Sequence, residues 1–263
     1  NNNNLKISLK NKKAIVCGGT NGIGYSIAQK FSELGATITL IARNKNKLIK
    51  TKESLYGDNH NFICANFSDP NELQKKITEN KINKNYYSIL INNTGGPPPG
   101  KISDIKNEDF LDSINKHLIC NHILFKAVYK NMKKNDFGRI INIISTSVKE
   151  PIPNLGLSNT TRGAVASWAK TLSKEIGKYG ITVNNILPNS VNTSRLKNLF
   201  TSMAKNENTN YLNIKQKWTE NIPVGRIAEP EEIAYLAAFL VSKYASYING
   251  INLPIDGGKL SSF

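Results

Sequence analysis

Short apolar runs and longer amphipathic stretches take turns along the chain from one end to the other. The runs KAIVC (13–17), ATITLIA (36–42), NFICA (61–65), YSILI (87–91), RIINIIS (139–145) and ITVNNIL (181–187) are rich in β-branched residues and short for helices. Each reads as a strand covered on both faces, as in a parallel sheet. Between them, apolar residues recur at three- and four-residue spacing, the mark of a helix that buries one side. In the stretch 107–134 these are Phe110, Ile114, Leu118, Phe125 and Val128, and one long helix is expected there. Other helices are expected from about 45 to 55, from Asp69-Pro70, from 157 to 178 with a stop near Gly180, and from Glu229-Pro230 onwards. At Asp69-Pro70 the Asp can cap and the Pro can take the first turn. NLPIDGG (252–258) adds a last short strand. The alternation predicts an α/β fold: a single Rossmann-type, doubly wound parallel sheet of about seven strands with helices on both faces. No interior stretch has linker composition, so 1–263 is expected to form one domain.

Two interruptions of this rhythm carry candidate chemistry. The first is GGTNGIG (18–24), which follows the first strand and opens a helix. Gly18 stands where the backbone must turn, Gly22 where a Cβ would block a pyrophosphate, and Gly24 where the helix packs closely on the sheet. A helix starting there points free N–H groups and its positive dipole end at phosphates. A dinucleotide site is therefore expected. At the end of the second strand, where an acidic residue would bond the ribose 2′-OH of NAD, the chain has Ala42 followed by Arg43, Asn44 and Lys45. With no carboxylate to repel a 2′-phosphate and Arg43 to grip it, NADP(H) is expected ahead of NAD(H). The second interruption is residues 193–221, a helical excursion with Leu196, Leu199, Phe200, Met203, Tyr211 and Trp218. It follows the C-terminal end of a strand, where open sheets bind ligands, and reads as a substrate lid. The stiff loop GGPPPG (95–100) either shapes the pocket or fixes a crossover.

Charge alters this picture little. The net charge is +16, but Lys and Arg are spread through every segment without a recognition motif, so no nucleic-acid partner is expected. The surplus would attract anionic cofactors and acidic or carrier-linked substrates. At 39% hydrophobic and 21% charged residues, with no apolar run of spanning length and no secretory pattern in NNNN, no membrane association is expected and the location reads as cytoplasmic. Cys17, Cys64 and Cys120 lack ligand spacing and read as core residues; the histidines add no metal motif.

The chain resembles the short-chain dehydrogenase/reductase family, and within it the 3-oxoacyl-carrier-protein reductase-like group. Gly18 to Gly24 resemble its TGxxxGIG, with Cys17 in the Thr place; Asn92-Asn93-Thr94-Gly95 its NNAG; Pro188-Asn189 its PG. Ile222-Pro223-Val224-Gly225-Arg226 and Asp256-Gly257-Gly258 match its C-terminal pattern. The resemblance implies cofactor contacts at Gly18, Thr20, Asn21, Gly22, Ile23, Gly24, Arg43, Asn93, Gly95, Arg162, Pro188 and Val191, with Asn66 where an Asp usually meets adenine. The family's proton-transferring Tyr falls on Ser158, its Lys on Arg162, its carbonyl-polarising Ser on Ser145 and its relay Asn on His117. Ser145 alone is retained. A serine hydroxyl is shorter and far less acidic than a phenol, and Arg162 binds ribose hydroxyls but cannot relay protons. His117 is expected either to titrate near neutrality as a proton donor or to be a hydrogen-bonded core histidine. Ser145 either polarises a carbonyl or satisfies backbone at a strand end. Lys149 and Glu150 are further candidates. Two functions follow: an NADP(H)-dependent oxidoreductase acting on a small-molecule or carrier-linked carbonyl at a divergent site, or a catalytically inactive dinucleotide-binding subunit with a regulatory or assembly role. The resemblance also implies a homotetramer or dimer packed through 107–134 and 157–178.

Overall fold

The computed structural model describes residues 6–262. In chain order its main elements are β1 (Lys13–Cys17), α1 (Gly22–Glu33), β2 (Thr37–Ala42), α2 (Lys45–Ser54), β3 (Asn61–Cys64), α3 (Pro70–Glu79), β4 (Ile89–Asn92), α4 (Asn107–Ile114) and α5 (Cys120–Lys134). There follow β5 (Gly138–Ile143), α6 (Gly156–Ile176), β6 (Ile181–Pro188), α7 (Ser194–Asn206), α8 (Tyr211–Glu220), α9 (Pro230–Val241) and β7 (Asn252–Ile255). The seven strands form one all-parallel sheet in the order β3-β2-β1-β4-β5-β6-β7. The order reverses direction between β1 and β4, which opens the crevice where such sheets bind ligands.

Period-2 alternation divides the strand side chains between two cores. Ala14 and Val16 of β1 pack with Ile27, Ala28 and Phe31 of α1 and with Ile233, Ala237 and Leu240 of α9. Ile15 and Cys17 face the other way, toward Leu73 of α3, Leu124 and Val128 of α5, and Leu172 of α6. The caps hold as expected: Asp69 accepts from the amides of Asn71 and Glu72, each at 3.0 Å, and Glu229 and Glu232 form a capping box at the start of α9.

Two expectations need correction. The apolar run at 139–145 continues past its strand: β5 ends at Ile143, and the apolar Ile144 beyond it is buried too. The stretch 107–134 is not one helix. Residues Asn115–Ile119 form a π turn, closed by a bond from the Cys120 amide to the Asn115 carbonyl, five residues back. The helical excursion expected at 193–221 is present as two helices, α7 and α8, packed on a small cluster of their own around Phe200, Ala204 and Ile214. Trp218 fastens this pair to the end of β6 by donating to Ser190 Oγ at 2.7 Å.

A polar row, buried except at its edge, crosses half of the sheet. Asn92, Asn142, Asn185 and Asn252 are register neighbours on β4, β5, β6 and β7. Each carboxamide donates to the next: Asn92 Nδ2 to Asn142 Oδ1 at 2.8 Å, Asn142 to Asn185 at 2.8 Å, Asn185 to Asn252 at 2.7 Å. Asn92 Oδ1 ends the row without a partner.

Candidate active site

The crevice is built from the C-terminal ends of β1, β4, β5 and β6. At β1 two of the glycines, Gly18 and Gly24, stand where a side chain would strike backbone. Gly18 has φ +60°, and a Cβ on it would lie 2.2 Å from the Asn93 carbonyl oxygen; one on Gly24 would lie 2.3 Å from the Gly18 carbonyl oxygen. Asn93 in turn donates to the Cys17 carbonyl at 3.3 Å, locking the end of β4 to the end of β1. Asn21 caps α1 by accepting from the Gly22 amide, and no acidic residue stands in that helix's first turn. A glycine-rich loop, a tight turn and a helix N-terminus with no acidic residue in its first turn together fit a dinucleotide pyrophosphate.

The nearest neighbour of a Cβ on Gly22 is the Thr193 side chain, at 2.9 Å, and Asn21 Nδ2 donates to Ser194 Oγ at 2.8 Å. Helix α7 therefore starts directly on the glycine loop. Thr20 is half-buried, and Ile23 packs against the core beneath. Arg43 is exposed at the end of β2. Asn66 Oδ1 accepts from the Ser68 amide at 3.1 Å, which leaves that oxygen a second lone pair. Gly95 has open space where a Cβ would stand, Pro188 closes β6, and Val191 is buried with a bridge to Ala228.

The four catalytic candidates cluster at the ends of β4 and β5. Ser145 opens a short 3-10 turn and accepts from the Ser147 amide at 3.1 Å. One of its lone pairs is taken by the backbone, and its O–H hydrogen stays available to donate. Arg162 is buried and donates from Nη1 to the Ile143 carbonyl at 3.3 Å, two residues before Ser145. Ser158 is buried one helical turn ahead of Arg162, on the same side of α6. The proline loop sets where that helix begins: Gly100 donates to Asn154 at 2.7 Å and accepts from Gly156 at 3.1 Å. These bonds tie the loop to the crossover into α6.

His117 sits inside the π turn, 1% exposed. Its Nδ1 lies 2.7 Å from Thr94 Oγ1, while Nε2 is buried without a partner. Burial, then the positive charges of Arg162, Lys116 and Arg195, push its pKa down to about 2. The imidazole is neutral throughout the working range, which overturns the expectation that it titrates near neutrality. Burial and the neighbouring Arg195 lower the Arg162 pKa to about 10, so it remains a cation at neutral pH.

Three residues of the site went unread in the sequence. Thr94 holds the His117 ring; Thr193 rests on Gly22; and Arg195, from α7, lies over Gly96 with its Nη2 donating to the Pro97 carbonyl at 3.1 Å. Thr193 and Arg195 bracket the start of α7, just past the Pro188 that ends β6, and that position is the signal that could have found them. Glu150 leaves the list of candidates: its Oε1 accepts from the amides of Ser261 and Ser262, at 2.9 and 2.6 Å, and anchors the C-terminal segment. Two clefts of about 410 and 400 Å³ flank the base of α7, and neither is lined by Ser145, His117, Ser158 or Arg162. No group of three or more metal-ligating side chains occurs among the described residues. None of their helices is long and apolar enough to cross a membrane.

Known proteins repeat this frame. A family model described as enoyl-(acyl carrier protein) reductase matches residues 18–259. The 3-oxoacyl-[acyl-carrier-protein] reductase FabG of Chlamydia trachomatis is 32% identical over 253 residues, 95% of this chain and 98% of that protein. The NADPH-dependent reductase BacG of Bacillus subtilis is 27% identical, with 97% of this chain and all of that one covered (100%). The structure of L-sorbose reductase from Gluconobacter frateurii, complexed with NADPH and L-sorbose, superposes with a TM-score of 0.93 at 26% identity, covering 98% and 100% of the two chains. With its glycine cradle, its parallel sheet and a family match that takes in nearly every element, the chain belongs to the short-chain dehydrogenase/reductase family.

Proposed function

We propose that this protein is an NADP(H)-dependent oxidoreductase that interconverts a carbonyl and an alcohol at a divergent active site. The observation that carries the reading is the convergence of a free hydroxyl hydrogen on Ser145, a buried guanidinium on Arg162 and the Thr94–His117 pair beside an intact glycine cradle. The exposed Arg43 next to Ala42 favours a 2′-phosphate, in keeping with the NADPH named for BacG and for the sorbose reductase complex. When bound, the nicotinamide supplies the hydride.

Gly18, Gly22 and Gly24 admit the pyrophosphate to the N-terminus of α1, and Asn93 keeps that turn in register with β4. Ser145 donates its hydrogen to the carbonyl oxygen, and the Arg162 charge stabilises the oxyanion as it forms. His117, being neutral, has no proton to give; its Nδ1 pairs with Thr94 Oγ1, and the proton that completes the alcohol is drawn from solvent. Ser158, buried by Arg162, is the remaining hydroxyl of this set. Helices α7 and α8 act as the substrate lid over a single domain. The functional form is a dimer or homotetramer packed through the α4–α5 and α6 faces, in the cytoplasm, with no nucleic-acid partner.

The test is NADPH oxidation across a panel of carbonyl compounds by the wild type and Ser145→Ala. Removing one oxyanion donor should lower kcat about 10²-fold or more while NADPH still binds. Firm NADPH binding with no turnover of any panel member would sink the reading and leave the inactive dinucleotide-binding subunit in its place.

A further inference from the structure

Two guanidiniums lie near enough at this site to act on one another, and neither has an acidic partner among the described residues. Arg162 is buried at 7% exposure, and its recorded hydrogen bond is to a backbone carbonyl. Arg195 reaches in from α7 and likewise bonds a backbone carbonyl, that of Pro97. No Asp or Glu among the described residues forms an ion pair with either one. The two are near enough for Arg195 to disfavour the charge on Arg162, and both act on His117.

Holding like charges together in a partly dry site is unfavourable unless something anionic joins them. The loop below makes the arrangement specific. Gly96 has no side chain, and a Cβ there would stand 1.9 Å from Arg195 Nη1, so the guanidinium can rest on the backbone only because position 96 is glycine. A planar fork so placed matches the two oxygens of a carboxylate.

We propose that Arg195, together with Arg162, binds a carboxylate on the substrate, and that the protein prefers free oxo acids to neutral carbonyl compounds, carrier thioesters among them. This rests on the oxidoreductase reading above. The same fork chemistry would also suit a phosphate of the cofactor, and the test separates the two sources. The probes are 4-oxopentanoate and its methyl ester, and 2-oxohexanoate and its methyl ester, each reduced with NADPH by the wild type, Arg195→Gln and Gly96→Ala. Gly96→Ala keeps the charge and displaces the flexible end of the Arg195 side chain.

The expected result is an acid-over-ester preference in kcat/KM of at least about 50-fold in the wild type, in line with a charge-assisted pair. That preference should fall to less than about 5-fold in both variants, with the NADPH Kd unchanged within about twofold. Equal use of acid and ester by the wild type overturns the proposal and leaves the oxidoreductase reading standing. A weaker NADPH Kd in Arg195→Gln, with acid and ester losing equally, assigns the guanidinium to the cofactor and also overturns it. Should no carbonyl turn over, calorimetry of 4-oxopentanoate binding to the NADP-loaded protein decides. Saturable heat that is lost in Arg195→Gln upholds the carboxylate site while the reductase reading fails; no heat in the wild type ends both.

Discussion

His117 shows how far an environment can take a side chain from its usual role. Its folded-state pKa of about 2 lies below the ordinary 6.5, so between those values the unfolded chain binds a proton that the folded protein refuses. Stability is therefore lost as pH falls below about 6.5, by at most about 1.4 kcal/mol per pH unit. Urea unfolding should show the wild type losing about 2 kcal/mol more than His117→Asn between pH 7 and pH 5. An equal loss in both would mean that the imidazole charges in the folded state. The same neutrality predicts that the pH profile of kcat/KM has no inflection near 6.5 belonging to this residue. Position 117 could be read from the sequence as a candidate, because the family pattern is local to its helix. Its protonation state could not, since Arg162 and Arg195 reach it from elements far along the chain. Arg195 itself sits in a polar helical stretch and looks like any solvated cation until the fold lays it on Gly96.

Among the elements, the strands were legible because burial on both faces leaves a continuous apolar run, and the glycine turn because its geometry is written in consecutive residues. The π turn was not. Phe110, Ile114, Leu118, Phe125 and Val128 suit an unbroken helix equally well, and what sets the turn is tertiary: Ser113 bonds Thr161 of α6 at 2.8 Å, and His117 meets Thr94. The asparagine row was visible as polar interruptions of β4, β5, β6 and β7, but its meaning needs the register that aligns them. Asn142 is fully buried in mid-row, so Asn142→Leu strands a donor on Asn92 and an acceptor on Asn185. Two unsatisfied buried groups should cost about 2–6 kcal/mol in denaturant unfolding. Asn252 is exposed at the edge of the sheet, where water can replace it, and Asn252→Ala should cost less than about 1 kcal/mol. Similar losses for both would show that the row does not act through burial.

For the molecule as a whole, 35 Lys and Arg against 19 Asp and Glu leave a broad positive field. The ion pairs among the described residues are few and several join neighbours on one helix, so the field is largely uncompensated. A dinucleotide carrying several negative charges should feel it. Raising NaCl from 50 to 300 mM should weaken NADPH binding several-fold, as screening shortens the Debye length from about 14 Å to about 6 Å. The KM of a neutral carbonyl substrate should hardly move over the same range. A salt-insensitive NADPH Kd would place the recognition entirely in short-range contacts.

A π turn is an α-helix carrying one residue too many, and that makes residues 115–119 sensitive to length before identity. Each residue of an α-helix advances it by about 100°. The π turn takes up its extra residue within one turn, so deleting one position here would heal the helix to ordinary i−4 bonding with α4 and α5 still facing as they do, and would remove the bulge that carries His117. Ser113 would keep Thr161, while His117 would lose its place opposite Thr94. Deletion scanning should find turnover abolished at any of these five positions, while substitutions at the partly exposed Lys116 and Ile119 are tolerated. The placement of His117 opposite Thr94 is thus counted out in residues along one helix.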